Sequence, residues 1–265
     1  MVLDALSPQR RRAVLAVAAL VLLLIIATVV TLVVRSRSTS AGPPQSQPGP
    51  VLVVPGYGGT ASSVQPLVAA LRSAGRMSVP VEPIGDGTGD LRAQARHLAV
   101  AAERVRRNTK AASVDVVGFS AGGVVARLWV REEGGTGVAR RVVTIGSPHH
   151  GTSQAALGAG LAGGCPEACQ QLSPDSDLLR RLNAGDESPD GPLWVTVRTT
   201  TDRVVTPVDS AALDGALNLV VQEVCPTSTT THGDLVSDPV VLAMLDSVLG
   251  ADLPRGPSDV ACSSR

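Results

Sequence analysis

Residues 113–123 read Ser-Val-Asp-Val-Val-Gly-Phe-Ser-Ala-Gly-Gly, and they give the clearest indication of the fold. A valine-rich run that is typical of a buried strand ends at Gly118, and an amphipathic, helix-like segment begins at Ala121. The pentapeptide Gly118–Gly122 between them has the pattern G-x-S-x-G. A strand, a tight turn and a helix in this order present a serine hydroxyl at the edge of a sheet. The stretch therefore predicts a nucleophilic Ser120 at the end of a central strand.

Strand-like and helix-like segments alternate on both sides of this turn. Short apolar runs predict strands at 50–55, 78–83, 113–118, 142–145, 193–199 and 219–224. Apolar residues at helical spacing predict helices at 62–74, 90–108, 121–133 and 239–249. This alternation predicts an α/β fold with a mainly parallel sheet flanked by helices. Such sheets carry their functional sites at the carboxyl ends of the strands.

A serine hydroxyl needs a neighbouring base, and the four histidines are the candidates. His97 falls in the middle of a predicted helix. His149 and His150 follow the strand 142–145, and we expect them to shape the loop beside the site. His232 follows the last predicted strand, and it alone fits the chain order serine, acid, histidine with room for an acid. The sequence therefore favours His232 as the base.

The acid is expected after the strand 193–199, where Asp202 lies in Thr-Asp-Arg-Val-Val. An aspartate there would hold the imidazole in one tautomer and stabilise the imidazolium. Asp175 and Asp177 are alternatives, but they look like residues that begin a helix. Asp209 is a further alternative that fits a turn.

An oxyanion needs two backbone donors close to the serine. The N–H of Ala121 directly follows the nucleophile, and the loop 55–60 after the first predicted strand contains three glycines that let its amides turn inward. Tyr57 is the expected donor from that loop.

Ala13 to Val34 is a run of 22 residues without a charge. As a helix it would be about 33 Å long, which is enough to span a bilayer. Arginines at 10–12, 35 and 37 flank it and favour an N-terminus in the cytoplasm. A cleavable signal peptide is the alternative, although its apolar core usually has about 7–15 residues. The predicted organisation is a cytoplasmic segment 1–12, a signal anchor 13–34, a Pro/Ser-rich linker 35–49 and a catalytic domain 50–265.

Composition excludes several classes of partner. The net charge is +0 and aromatic residues make up 2% of the chain, which argues against a basic nucleic-acid binder or an aromatic stacking platform. The 4 cysteines are Cys165, Cys169, Cys225 and Cys262. They lack the paired C-x-x-C pattern of a zinc site, so we expect disulfides. Closeness in sequence favours Cys165–Cys169 among the possible pairings, which leaves Cys225–Cys262.

Five motifs together resemble the small secreted bacterial lipases and esterases of the α/β-hydrolase superfamily, with actinobacterial triacylglycerol-lipase-like proteins the most similar. The motifs are Pro-Gly-Tyr-Gly-Gly at 55–59, Gly-Phe-Ser-Ala-Gly-Gly at 118–123, Gly-Ser-Pro-His-His-Gly-Thr at 146–152, Thr-Asp-Arg-Val-Val at 201–205 and Thr-His-Gly-Asp-Leu at 231–235. The resemblance implies a compact hydrolase with at most a small flap, for which 152–172 is the only candidate. It also implies a triad of Ser120, Asp202 and His232, with Tyr57 and Ala121 as oxyanion donors.

The chain departs from the pattern of these enzymes at two positions. Pro55 stands where they usually have a histidine before the oxyanion loop, and Phe119 stands where they often have a histidine before the nucleophile. Both positions line the site, so they bear on substrate preference.

The expected function is therefore an extracytoplasmic serine lipase or esterase that hydrolyses carboxylic esters through an acyl-enzyme. An acyltransferase acting on cell-envelope lipids is one alternative, because it would use the same triad. A non-catalytic envelope-binding protein is the other. We expect a small-molecule or lipid ester substrate, a monomer attached to the membrane by its anchor, no nucleic acid, and no metal or organic cofactor.

Overall fold

The computed structural model describes residues 8–38, 42–160, 164–256 and 262. It divides into two units, Met1–Ala41 and Gly42–Arg265. The first unit contains one helix, α1 (Pro8–Ser38). The predicted anchor 13–34 lies on this helix, but several side chains at both of its ends are outside the described residues. Within the residues that are described, no helix has the length and apolar character to cross a membrane.

A sheet of six strands organises the second unit. The strands are β1 (Val51–Val54), β2 (Ser78–Pro80), β3 (Val114–Phe119), β4 (Ala139–Ile145), β5 (Leu193–Arg198) and β6 (Leu217–Val220). Their order across the sheet is β2-β1-β3-β4-β5-β6, and every neighbouring pair is parallel. The predicted parallel sheet is thus confirmed. Because β3 lies inside the sheet, its carboxyl end holds Ser120 between the ends of neighbouring strands.

Helices cover both faces of the sheet. They are α2 (Gln65–Ser73), α3 (Leu91–Thr109), α4 (Ala121–Glu132), α5 (Ser153–Ala159), α6 (Glu167–Gln171), α7 (Asp177–Leu182), α8 (Val221–Val224) and α9 (Pro239–Leu249). Side chains alternate across each strand. Leu52 and Val116 therefore join the core under α3, α4 and α5 to α7, whereas Val53 and Val117 join the core under α2, α8 and α9. The predicted arrangement of a sheet flanked by helices is confirmed.

The predicted strand at 219–224 is only partly correct. The strand ends at Val220, and Val221–Val224 form one helical turn instead. The N–H of Cys225 closes that turn on the carbonyl of Val221 at 2.8 Å. The side chain of Gln222 binds the end of β5, where its amide nitrogen donates to Thr199 Oγ1 at 2.8 Å. These tertiary contacts outweigh the strand preference of the β-branched residues.

A buried ion pair lies at the amino edge of the sheet. Nε of Arg140 donates to Oδ1 of Asp115 at 2.9 Å, and both side chains are fully buried. Arg140 also donates to the carbonyls of Gln45, Leu249 and Gly250, so it joins the amino edge to the end of α9 and to the chain before β1. Burial raises the pKa of the Asp115 carboxyl, and the hydrogen bond and charge of Arg140 offset this only in part.

Both predicted disulfides are present. Cys165 and Cys169 are bonded with their Cα atoms 5.8 Å apart, and Cys225 and Cys262 with theirs 5.5 Å apart. The second bridge fastens the segment after α8 to the C-terminal tail, as the sequence predicts.

Candidate active site

Ser120 occupies the turn between β3 and α4 in a conformation that serine rarely adopts. Its φ is 52° and its ψ is −125°. The strained turn is fixed on both sides, because the N–H of Ser120 donates to the carbonyl of Ile145 at 2.8 Å and its carbonyl accepts from the N–H of Gly123 at 3.0 Å. Strained residues of this kind concentrate at functional sites.

Two glycines make this turn possible. A Cβ atom at Gly118 would lie 2.6 Å from the Cα of Gly123. A Cβ atom at Gly122 would lie 2.4 Å from the carbonyl oxygen of Val54 in the neighbouring strand. The spacing G-x-S-x-G therefore reflects how closely α4 approaches β1 and β3 on either side of Ser120.

Ser120, His232 and Asp202 form one chain of hydrogen bonds. Nε2 of His232 is 3.1 Å from Oγ of Ser120, and its Nδ1 is 2.7 Å from Oδ2 of Asp202. An ionised carboxylate only accepts hydrogen bonds, so the imidazole proton belongs on Nδ1. The lone pair of Nε2 then faces the serine hydroxyl, which is the arrangement that a general base requires.

Asp202 is buried, with 6% of its surface exposed, and its second oxygen is also occupied. Oδ1 accepts hydrogen bonds from the N–H groups of Val204 and Val205 at 2.8 and 2.9 Å. These contacts fix the carboxylate without a charged partner. The alternative acids lie elsewhere: Asp177 begins α7, and Asp209 forms an exposed ion pair with Arg198 at 3.4 Å.

The other histidines are engaged away from the serine. His149 is fully buried, and its Nε2 is 2.9 Å from Thr144 Oγ1. Burial lowers the pKa of His149 well below 6.5, with a further contribution from the charge of Arg127. His150 is partly exposed and pairs with Glu187 at 2.7 Å. Both residues shape the loop after β4.

His97 lies on α3, as the sequence predicts. Among the described residues, only His232 of the four histidines contacts Ser120.

The ring of Phe119 packs on the imidazole of His232. Their centroids are 5.1 Å apart and the planes are inclined by 37°. This contact gives a structural role to one of the two positions at which the chain departs from the pattern of the similar lipases. Sequence reasoning noted that Phe119 borders the site, but it did not predict contact with the base.

The backbone N–H groups of Tyr57 and Ala121 make no hydrogen bond to the described residues. In the loop of Tyr57, the N–H of Gly58 donates to the carbonyl of Gly87 and the N–H of Gly59 donates to the carbonyl of Gly56. The amide of Ala121 is also at the N-terminus of α4, where the helix dipole favours negative charge. Both amides are available to an anion, as the predicted oxyanion site requires.

A cavity of about 190 Å³ opens beside the serine. Its lining is mostly apolar and consists of Tyr57, Ser120, Pro148, Thr152, Gln154, Ala155, Cys169, Leu172, Val204 and Val205. Half of these residues belong to the candidate flap 152–172, which contains α5, α6 and the first disulfide. Sequence reasoning missed Val204 and Val205, which line the cavity while their amides hold Asp202.

No set of His, Cys, Asp and Glu side chains within the described ranges has the arrangement of a metal site.

Comparison with known families adds to this geometry. Residues 50–182 match the palmitoyl protein thioesterase family. The chain belongs to this family. Its matched region runs from β1 through α7 and includes Ser120 and the candidate oxyanion donors. No curated protein sequence matches the chain.

Solved structures of lipases and a thioesterase have the same fold as this palmitoyl protein thioesterase family member. Lipase B of Aspergillus fumigatus is 22% identical with a TM-score of 0.71, over 82% of this chain and 56% of that chain. The mature lipase BlEst2 of Bacillus licheniformis is 16% identical with a TM-score of 0.64. The match covers 79% of this chain and 94% of that chain. The RedJ thioesterase from the prodiginine biosynthetic pathway in Streptomyces coelicolor is 18% identical with a TM-score of 0.50. The match covers 78% of this chain and 87% of that chain.

The predicted membership of the α/β-hydrolase lipases and esterases is confirmed, and the actinobacterial subgroup stays a prediction. The chain spans just over half the length of the Aspergillus lipase that it resembles. Its family and fold are those of hydrolases of ester bonds.

Proposed function

We propose that this protein is a serine hydrolase that cleaves acyl esters through an acyl-enzyme on Ser120. The hydrogen-bonded chain from Ser120 through His232 to Asp202 carries the proposal, with distances of 3.1 and 2.7 Å. It joins a poor nucleophile to a base whose tautomer is fixed by a buried carboxylate. The apolar cavity that opens at the same serine supports an acyl chain as the group to be bound.

The reaction proceeds in two halves. In the first, His232 Nε2 takes the hydroxyl proton while Ser120 Oγ bonds to the ester carbonyl carbon, and the carbonyl oxygen becomes an oxyanion. The amides of Tyr57 and Ala121 donate to that oxyanion. The tetrahedral intermediate then collapses, the bond to the leaving group breaks, and the imidazolium of His232 protonates the departing alcohol.

In the second half, water replaces the leaving group. Its proton goes to His232 Nε2 and its oxygen bonds to the acyl carbon. The second intermediate releases the carboxylic acid, and the proton returns to Ser120 Oγ. Asp202 stays ionised throughout and stabilises the imidazolium in both halves.

Acyl thioesters are a second class of substrate, which the match to the palmitoyl protein thioesterase family favours. The carbonyl chemistry is the same. A thiol has a pKa of about 8.5, so a thiolate leaves with less help from a general acid than an alcohol does. A matched pair of an oxygen ester and a thioester with the same acyl chain separates the two preferences by kcat/KM.

The test uses the full chain in detergent with a short-chain p-nitrophenyl ester. Ser120→Ala should lower turnover by about 10⁴-fold or more. Ser73→Ala, an exposed serine at the end of α2, is the matched control and should keep full turnover. Full turnover in Ser120→Ala would contradict the proposal. Acyl transfer to an added alcohol that exceeds hydrolysis would assign the acyl-enzyme to transfer instead.

We also propose that the catalytic unit works outside the cytoplasm and is held there by residues 13–34. The two disulfides support an oxidising compartment. The charge-free run 13–34 and its flanking arginines support the anchor. Activity should then sediment with membranes and be released by detergent but not by high salt. If the activity is instead recovered in the culture medium, on a protein whose N-terminus is near Gly42, the segment 13–34 is a cleaved signal peptide.

A further inference from the structure

Three consecutive threonines follow β5 and precede the candidate acid. Thr199 and Thr201 direct their hydroxyls to the same acceptor, the carbonyl oxygen of Thr230, at 2.8 and 2.6 Å. The hydroxyl of Thr200 makes no hydrogen bond to the described residues, and its side chain is exposed. The N–H of Asp202 donates to the carbonyl of Thr199 at 3.3 Å, so residues 199–202 form a turn in which the first and third hydroxyls lie on the same side.

The shared acceptor lies close to the candidate base. Thr230 is two residues before His232, and Thr201 directly precedes Asp202. The two hydrogen bonds therefore join the loop of the acid to the loop of the histidine. Sheet pairing between these regions ends at Arg198 and Val220, well before His232. Beyond that point, the sheet no longer sets the separation of the two loops.

Gln222 directs one of these hydroxyls. Its Nε2 donates to Thr199 Oγ1 at 2.8 Å, and its Oε1 accepts from the N–H of Thr200 at 2.9 Å. The same Nε2 also donates to the carbonyl oxygen of Ser228 at 3.1 Å. Because Thr199 Oγ1 accepts from the amide, its own proton is available to the carbonyl of Thr230. Thr201 Oγ1 is 2.9 Å from Thr199 Oγ1, so the two hydroxyls and the carbonyl form one cluster. All of these groups are neutral, so the contacts do not depend on a charge.

We propose that Thr199 and Thr201 are positioning residues that set the distance between Asp202 and His232. The inference rests on the proposed serine hydrolase function and goes beyond the triad itself. Neither threonine touches the cavity that would hold the acyl chain. They act through the main chain of the histidine loop, and a small displacement of a catalytic group is enough to slow a reaction.

Single substitutions separate this role from a general effect on the fold. Thr201→Val keeps the shape of an exposed side chain and removes only the hydroxyl. Thr200→Val makes the same change at the adjacent position, where no hydrogen bond is lost, and Thr201→Ser restores the hydroxyl. Thr199→Val is the buried counterpart, and thermal unfolding shows whether it folds. If it does not fold, Thr201→Val and its two controls carry the test.

The measurements are kcat and KM for a short-chain p-nitrophenyl ester and the proton NMR signal of the hydrogen on His232 Nδ1. Thr201→Val should lower kcat about threefold to tenfold, as the loss of one hydrogen bond allows, and leave KM unchanged. The downfield Nδ1 proton should shift upfield or broaden as its bond to Asp202 lengthens. Thr200→Val should match the unmodified chain, and Thr201→Ser should recover most of kcat and the proton signal.

Other outcomes would overturn the proposal. If Thr201→Val behaves like Thr200→Val, the hydroxyl does not position the histidine. If kcat falls while the Nδ1 proton keeps its position, the loss arises from the fold and not from the Asp202–His232 contact. Either result leaves the proposed function intact as long as Ser120→Ala abolishes turnover, whereas full turnover in Ser120→Ala would remove the proposed function itself.

Discussion

Two buried aspartates lie at opposite edges of the same sheet. Asp115 is at the amino edge and is fully buried, and Asp202 follows β5 at the carboxyl edge with 6% of its surface exposed. Asp115 faces the guanidinium of Arg140 through both oxygens, at 2.9 and 2.5 Å. Asp202 faces a histidine through one oxygen at 2.7 Å and two backbone amides through the other.

The difference lies in what each partner is able to do. Arginine stays protonated in proteins, so the pair at the amino edge keeps one state and links β3 and β4 to the end of α9. An imidazole is able to take a proton from a neighbouring hydroxyl and return it, so the pair at the carboxyl edge is suited to proton transfer. Neutral amides bind the other oxygen of Asp202, and no arginine or lysine of the described part of the chain forms an ion pair with it. The pair at the amino edge thus stabilises the fold, and the pair at the carboxyl edge orients the proposed base.

Asp202→Asn is expected to give the largest effect. An amide at this position would favour the wrong imidazole tautomer, so kcat should fall by about 10⁴-fold. The thermal unfolding temperature should change by no more than about 3 °C, because asparagine has the same size as aspartate. A fall in kcat of less than about tenfold, or a loss that unfolded protein accounts for, would show that Asp202 does not orient His232.

Asp115→Ala should show the reverse behaviour. Removing one partner of a buried ion pair leaves Arg140 uncompensated, which typically costs about 3–5 kcal/mol of unfolding free energy. Chemical denaturation measures the loss, and kcat per folded molecule should be unchanged. The double variant Asp115→Leu with Arg140→Met is the control, and it should recover much of the stability because both charges of the buried pair are removed together. A single variant as stable as the unmodified chain would show that the pair does not hold the amino edge.

A smaller effect is expected from pH, through His149. Burial lowers the pKa of His149 in the folded chain well below 6.5, so the unfolded chain binds the proton first as the pH falls. The stability that His149 contributes is therefore complete above about pH 6.5, and it decreases by up to about 1.4 kcal/mol per pH unit below that value.

Denaturation curves at a series of pH values test the His149 prediction. His149→Gln should flatten the dependence between pH 6.5 and the folded pKa. His97→Gln, on the partly exposed face of α3, should keep the original slope. Equal slopes in the two variants would show that another group dominates acid destabilisation.

The carboxyl edge was largely predictable from the sequence, and the amino edge was not. Ser120, Asp202 and His232 each follow a short apolar strand, and the structure brings these three side chains together. Local signals also predicted α9, where Asp238 caps the first turn by accepting from the N–H of Val240 at 2.8 Å. Strand ends and helix caps depend on residues that are close in sequence, so they are predictable from the sequence.

Contacts between distant segments leave no such pattern. The predicted strand began at 142, but β4 begins at Ala139, because Arg140 and Arg141 read as polar and are in fact buried. Their burial depends on Asp115 and on carbonyls at the end of α9, which lie far away in sequence. The threonine contacts to Thr230 were missed for the same reason, since 31 and 29 residues separate the partners.

Covalent labelling measures whether His232 activates Ser120. The full chain is treated with a fluorophosphonate and the modified peptide is identified by mass spectrometry. We expect a single adduct on Ser120, labelling slowed by orders of magnitude in His232→Ala, and labelling at the normal rate in His150→Ala. An adduct on another residue, or equal rates in His232→Ala and the unmodified chain, would contradict the account.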